Sequence, residues 1–256
     1  MPTYQELERI AVDVSREAAN RIRAAAGTGT AVATKSSRTD AVTATDIETE
    51  EYIESVLREA TPSSSMVGEE GGVRPGTSDL QWIVDPIDGT VNFMYDLPVI
   101  SVSIAATIGG VTVAGAVADV HRGEVFGACK DGGARLNGSS IRPSTATELE
   151  LSLIGTGFSY SATKRAHEAA AVARILPQIR DIRCMGSAAL NLAWVSCGRL
   201  DGYFESEVQI WDIAAGALLV DEAGGEVKVE LDENSRGPVL AAAPDVFEGL
   251  RDIVRQ

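Results

Sequence analysis

Asp85-Pro86-Ile87-Asp88-Gly89-Thr90-Val91-Asn92-Phe93 follows directly on the apolar run Gln81-Trp82-Ile83-Val84. An apolar run of this length, bounded by polar residues, reads as a buried strand. Two carboxylates three positions apart are therefore expected where the strand stops and a loop or helix begins. Carboxylates gathered at a strand end suit a hard divalent cation such as magnesium, which takes oxygen ligands. Pro86 has a fixed φ and no N–H, so it stiffens the segment and leaves the Ile87 carbonyl available to the same cation. The Gly89-Thr90 step offers backbone N–H groups and a hydroxyl to a phosphate. The segment points to metal-assisted phosphate chemistry on a sheet-based scaffold.

Outward from this segment, the chain is long enough, at 256 residues, for a substantial core. Its formal net charge of −15 lacks the basic footprint of non-specific nucleic-acid binding, so no nucleic-acid partner is expected. Cys129, Cys184 and Cys197 are odd in number and show no Cys-x-x-Cys spacing. A disulfide framework or zinc site is not expected, and a reducing cytoplasm fits. The N-terminus shows no basic region followed by an apolar stretch, so no signal peptide is read. Residues 97 to 118 carry no charge, which resembles a membrane span. Gly109-Gly110 splits this stretch into two runs rich in β-branched residues, and a buried hairpin is expected instead.

The N-terminal part pairs a capping box, Thr3 with Glu6, with apolar residues at helical spacing: Leu7, Ile10, Ala11, Val14, Ala18 and Ile22. A helix over residues 4–26 is expected, ended by Gly27. A polar connection over 28–44, with Lys35, Asp40 and Asp46 around it, leads to a second helix from about Asp46 to Ala60. That helix would turn Ile47, Ile53, Val56 and Leu57 inward. Strands dominate from Ser65 to about Arg142, arranged as a meander. The second half alternates strand and helix. Strands are expected near 151–156, 182–185 and 202–206, and helices near 163–176, 187–197 and 212–223. The expected organisation is one domain over residues 1–256, with an antiparallel-sheet half (1–146) and a mixed α/β half (147–256).

Histidine is nearly absent. His121 falls in a turn and His167 in a helix far along the chain, which speaks against a serine triad or a zinc hydrolase. Acid–base work falls to carboxylates, hydroxyls and water. Each acidic group has an ordinary explanation by itself. Glu69 and Glu70 beside glycines make a solvated turn, Asp85 and Asp88 an Asx-capped turn, and Asp212 a helix N-cap. Their occurrence together with the Gly-Thr step favours a shared metal site.

Five segments carry a resemblance: Asp40-Ala41-Val42-Thr43-Ala44-Thr45-Asp46, Gly68-Glu69-Glu70, Trp82 through Phe93, Arg183-Cys184-Met185-Gly186-Ser187-Ala188-Ala189, and Trp211-Asp212-Ile213-Ala214-Ala215-Gly216. In this order they resemble the inositol monophosphatase family. The resemblance implies a lithium-sensitive, magnesium-dependent phosphatase with a layered α-β-α-β-α sandwich of the sugar-phosphatase type, commonly a homodimer. It implies that Glu69, Asp85 and the Ile87 carbonyl hold one magnesium. Asp85, Asp88 and Asp212 would hold a second, and Glu69 would touch a weaker third. By the same resemblance, Asp46 and Thr90 would form a dyad that helps orient the attacking water, beside Glu69. Substrate contacts fall to Asp88, Gly89, Thr90, Gly186, Ser187, Ala188, Glu205 and Asp212, for a small phosphorylated polyol. The chain departs from the family pattern at Gly71, where serine is common, and at Glu207, where glycine is usual.

Other readings fit less well. A haloacid-dehalogenase-type phosphatase needs Asp-x-Asp-Gly-Thr, whereas Asp85 and Asp88 are three apart. An EF-hand loop needs alternating ligands and a central glycine. Histidinol phosphate and fructose 1,6-bisphosphate remain alternative substrates for the same metal core, and a regulatory binding role remains beside catalysis.

Overall fold

A computed structural model of the chain describes residues 2–25, 31–34 and 41–255. The first half comprises α1 (Tyr4–Ala24), β1 (Ala31–Thr34), β2 (Ala41–Thr43), α2 (Ala44–Ala60), β3 (Ser65–Gly68), β4 (Gly72–Arg74), β5 (Leu80–Asp88), α3 (Thr90–Met94), β6 (Ser101–Ile108), β7 (Val111–Asp119), β8 (Glu124–Cys129), β9 (Gly133–Leu136) and β10 (Ser139–Ser140). The second comprises β11 (Leu153–Thr156), α4 (Ala162–Ile175), β12 (Asp181–Cys184), α5 (Ala188–Ser196), β13 (Gly202–Gln209), α6 (Ile210–Glu222), β14 (Glu226–Val229), β15 (Arg236–Ala242) and α7 (Pro244–Val254). The expected end of α1 at Gly27, and Lys35 and Asp40 of the polar connection, lie outside the described residues.

Eight strands form one sheet in the order β10-β9-β8-β7-β6-β5-β3-β4, and five form another in the order β12-β11-β13-β15-β14. Four apolar clusters show how the layers stack. Leu7, Ala11 and Ile22 of α1 and Ile53 and Leu57 of α2 pack with Trp82, Val84 and Ile104 on one face of the large sheet. Ala189 and Ala193 of α5 and Ala215 and Leu219 of α6 pack with Ile83, Val117 and Phe126 on its other face. Leu192 of α5 and Ile213 and Val220 of α6 also pack with Tyr203, Val208 and Ala241 of the small sheet. Ile175 of α4 and Phe247 and Leu250 of α7 cover that sheet's outer face. The result is the expected α-β-α-β-α sandwich.

The uncharged stretch is the hairpin β6–β7. Its turn, Gly109-Gly110, has positive φ at both residues, as a tight two-residue hairpin requires. Among the described residues, no helix is long and apolar enough to cross a membrane.

Three expectations need correction. Ile47 is 42% exposed. The inward face of α2 is set by Asp46, Thr49, Glu50, Ile53 and Leu57. Ile47 lies six residues, about 120° around the helix, from Ile53. The first sheet is not a pure meander, because β3 pairs with β5 in parallel and with β4 antiparallel. Residues 226–254, to which the sequence reading assigns no element, form β14, β15 and α7.

Candidate active site

The strand carrying Asp85 does not stop at Val84. β5 continues through Asp88, and its pairing with β6 shifts between Asp85, opposite Ser103, and Asp88, opposite Ser101. Three steps on β5 thus match two on β6, which is a bulge of one extra residue. In a regular strand, residues three apart point to opposite faces. The bulge turns both carboxylates into one cleft, and Pro86 is tolerated there because a bulge frees an N–H position from the ladder.

The cleft measures about 460 Å³, and its walls include Glu69, Asp85, Ile87, Asp88, Gly89, Thr90, Gly186, Ser187, Ala188, Glu205 and Asp212. Every residue that the resemblance assigns to the site therefore lines it except Asp46. Asp46 is fully buried behind Thr90, whose Oγ lies 3.0 Å from Asp46 Oδ1 and 3.1 Å from the Ile87 carbonyl. The single Thr90 proton serves one of these acceptors at a time. Asp46 is the third residue of α2, and its Oδ2 accepts the Thr43 N–H at 2.8 Å in a capping box.

Asp88 is held from the second half of the chain. Its Oδ2 accepts from Ser187 Oγ at 2.6 Å and the Ala189 N–H at 2.7 Å, at the start of α5. Asp212 is not the N-cap of α6. Gln209 is the N-cap, and Asp212 is the third helical residue, its Oδ2 accepting the Gln209 N–H at 2.7 Å. Ser103 Oγ, donating to the Trp211 carbonyl at 3.0 Å, ties this helix start to the strand beside Asp85. Gly89 precedes α3 with φ 102°, and a Cβ there would sit 2.9 Å from the Val99 carbonyl oxygen. Only glycine fits both demands. The first intrahelical bond of α3 runs from the Phe93 N–H to the Gly89 carbonyl, so the N–H groups before it have no helical acceptor.

The electrostatics are those of crowded, buried acids. Burial, then the charges of Glu69, Asp88 and Asp212, raises the Asp85 carboxyl well above the usual range, so a proton is favoured at the Glu69–Asp85 pair. Burial raises Asp212 likewise, helped by Glu69 and Asp88. Burial pushes Asp88 up to about 6 against the opposing pull of its Ser187, Ala189 and Ala188 donors. Burial pushes Glu205 up to about 7 although Tyr203 Oη donates to it at 2.7 Å. Among the described residues lining the cleft, Arg236 is the one cation, and Glu207 engages it.

This all-oxygen donor set fits hard divalent cations, which would take the place of the shared proton. Among the described residues, no three of these side chains already close on one point. Their oxygens are turned instead to the backbone and hydroxyl donors that hold them.

Sequence reasoning missed several supporting residues. Glu50 of α2, 1% exposed, accepts the Glu70 N–H at 2.8 Å and the Gly71 N–H at 2.7 Å, and so grips the turn that carries Glu69. Arg74 folds over Glu50, and its guanidinium lies where a Cβ at Gly71 would project. Asn92 Nδ2, 2.8 Å from both the Val99 and Met185 carbonyls, joins α3 to the Gly186 loop. Gly157 leaves the space that the Glu205 carboxylate fills.

Comparison with known proteins matches this geometry. The profile of the inositol monophosphatase family matches residues 3–250. An inositol-1-monophosphatase of Mycobacterium leprae (strain TN) is 43% identical over 272 residues, covering 96% of this chain and 92% of that one. The Nus factor SuhB of Escherichia coli (strain K12) is 42% identical over 247 residues, covering 94% and 92%. The solved structure of Mycobacterium tuberculosis SuhB superimposes with a TM-score of 0.87 at 39% identity, covering 100% and 98%. With the family profile spanning nearly its whole length and relatives above 40% identity, the chain belongs to the inositol monophosphatase family.

Proposed function

We propose that the chain hydrolyses a small phosphate monoester, inositol monophosphate first, with magnesium. The observation that carries this reading is the gathering of Glu69, Asp85, Asp88, Asp212 and the Ile87 carbonyl on one cleft wall. Glu69, Asp85 and the Ile87 carbonyl would hold one ion, and Asp85, Asp88 and Asp212 a second, with Glu69 touching a third. Bound magnesium supplies positive charge that acidifies water and stabilises the leaving oxygen. The chain's own residues do the positioning. Thr90, donating to Asp46, turns its lone pairs to the water and fixes its line of approach. The N–H groups at Gly89 and Thr90 and the Gly186–Ala188 turn receive phosphate oxygens. Glu205, braced by Tyr203, accepts hydrogen bonds from ring hydroxyls, where a charged acceptor is strongest. The unpaired cysteines suit a reducing compartment such as the cytoplasm, and a homodimer follows the family habit.

Inositol 1-phosphate, histidinol phosphate and fructose 1,6-bisphosphate assayed side by side with a magnesium titration test this reading. Turnover should vanish in excess chelator. Asp85→Asn should lower kcat by at least about two orders of magnitude, as losses of charge stabilisation do, and should weaken calorimetric magnesium binding. Full turnover under chelation would sink the proposal. A second, binding role is favoured by the relative named a Nus factor. The net charge speaks only to non-specific nucleic-acid contacts and does not bear on a specific assembly. An inactive Asp85→Asn protein that replaces the wild type in cells would separate the two roles.

A further inference from the structure

Glu207 lies on β13 inside its irregular stretch between Glu205 and Val208, and it lines the cleft together with Arg236. Its carboxylate collects donors from two elements and the loop before one of them. Lys164 Nζ, from the first turn of α4, meets Oε1. Arg236 Nη2, from the start of β15, lies 3.1 Å from Oε2, and Ser159 Oγ lies 3.3 Å from the same oxygen. Lys164 and Arg236 are 48% and 38% exposed, so this is a solvated rim and not a buried ion pair. Among the described residues, Arg236 Nε is buried without a hydrogen-bond partner, so the exposed part of the guanidinium, which Glu207 engages through Nη2, is the part a ligand can reach.

We propose that Glu207 is a specificity-determining residue: it occupies two rim cations, Lys164 and Arg236, that would otherwise receive a second, distal phosphate, and so restricts the cleft to monophosphates. This rests on the phosphatase reading above. Sugar bisphosphates carry a second dianion several bonds from the reacting one. With the reacting phosphate at the acidic wall, that dianion needs cations elsewhere along the same cleft. Here it must displace the Glu207 carboxylate or stand beside it, and like charges repel. A neutral polyol meets no such opposition. Exposed ion pairs contribute little to stability, so removing Glu207 should act on substrate choice more than on folding.

The test measures kcat/KM at low ionic strength for inositol 1-phosphate, fructose 1,6-bisphosphate and an aryl phosphate, with melting temperatures alongside. The wild type should prefer the monophosphate. Glu207→Gln should raise the bisphosphate-to-monophosphate ratio about tenfold. Adding Arg236→Gln should remove most of that gain, and about 0.5 M salt should shrink it. Lys164→Gln alone, with Glu207 in place, should lower the ratio about threefold, and this variant keeps the test decisive should Glu207→Gln fold poorly. A ratio unmoved in well-folded Glu207→Gln and Lys164→Gln, or a gain that survives Arg236→Gln, overturns the proposal. Turnover of the aryl phosphate with an unmoved ratio overturns this inference alone. No wild-type turnover of any of the three esters overturns the phosphatase reading and this inference with it.

Discussion

Glu50 shows how a site is built by residues that never face it. Its buried carboxylate accepts two N–H groups of the turn after β3 and pairs with Arg74, so the position of Glu69 depends on a side chain twenty residues upstream of Glu70. Glu50→Ala would leave two turn N–H groups without their acceptor, while Arg74 keeps Glu54, and should cost about 1–3 kcal/mol in urea unfolding. Glu50→Gln keeps one carbonyl oxygen and one N–H contact. It should fold, and should weaken calorimetric magnesium binding about tenfold by loosening Glu69. Unchanged affinity in a folded Glu50→Gln protein would remove Glu50 from the site's support. The sequence made Glu69, Asp85, Asp88 and Asp212 legible because their chemistry is written in residue type and local spacing. It left Glu50 illegible because a glutamate in an amphipathic helix reads as solvent-facing. Only the crossing of α2 over the turn reveals otherwise, and the same crossing is why Ile47, an apolar residue, faces outward.

At the scale of elements, three helix starts converge on the cleft: α3 after Gly89, α5 at Ser187 and α6 at Gln209. Each places a residue of the proposed site within its first turn or at its cap. Asp212 therefore has two roles that one substitution separates. As the third residue of α6 it accepts the Gln209 N–H, and the Asn side-chain carbonyl can do the same. Asp212→Asn should keep the melting temperature within about 2 °C of the wild type while weakening magnesium binding and slowing turnover. A large loss of stability with unchanged magnesium affinity would make the residue a helix-start device and nothing more. Helices α1, α2, α4, α5 and α6 and the hairpin are legible from a capping box, glycine stops and period, whereas α3 and α7 are not. The bulge in β5 is not, because a carboxylate spacing of three gives no sign of which face each residue takes. The parallel pairing of β3 with β5 escapes as well. The short β4 hairpin lies beyond β3, so neighbours in sequence are not neighbours in the sheet.

Over the whole molecule, α5 and α6 pack against both sheets. This supports treating residues 1–256 as one cooperative unit, and a single melting transition by far- and near-ultraviolet dichroism is expected. Its midpoint should depend on pH in a way set by the cleft. Asp88 is raised to about 6 and Glu205 to about 7, and Asp85 and Asp212 are raised as well. In the unfolded chain such groups titrate near 4. A raised folded value means that the folded state holds these protons more tightly. The resulting stabilisation is full below about pH 4 and is lost as pH climbs through the folded values, from about 4 to about 7 for Asp88 and Glu205. Glu124 works in the opposite sense: Arg199 lowers it to about 2, so its stabilisation fades only as pH falls through the region below about 4. The two windows meet near pH 4 and do not cancel. Metal-free protein should therefore melt at steadily lower temperature from about pH 4.5 to pH 7.5. Magnesium binds the ionised acids of the folded state, so saturating ion should restore the midpoint most at the upper end of that range. Melting curves at half-unit pH steps, with chelator and with magnesium, measure both effects. A metal-free midpoint that is flat or rising across this window would mean that burial and crowding do not raise these acids, and the case for cations at this wall would lose its electrostatic footing.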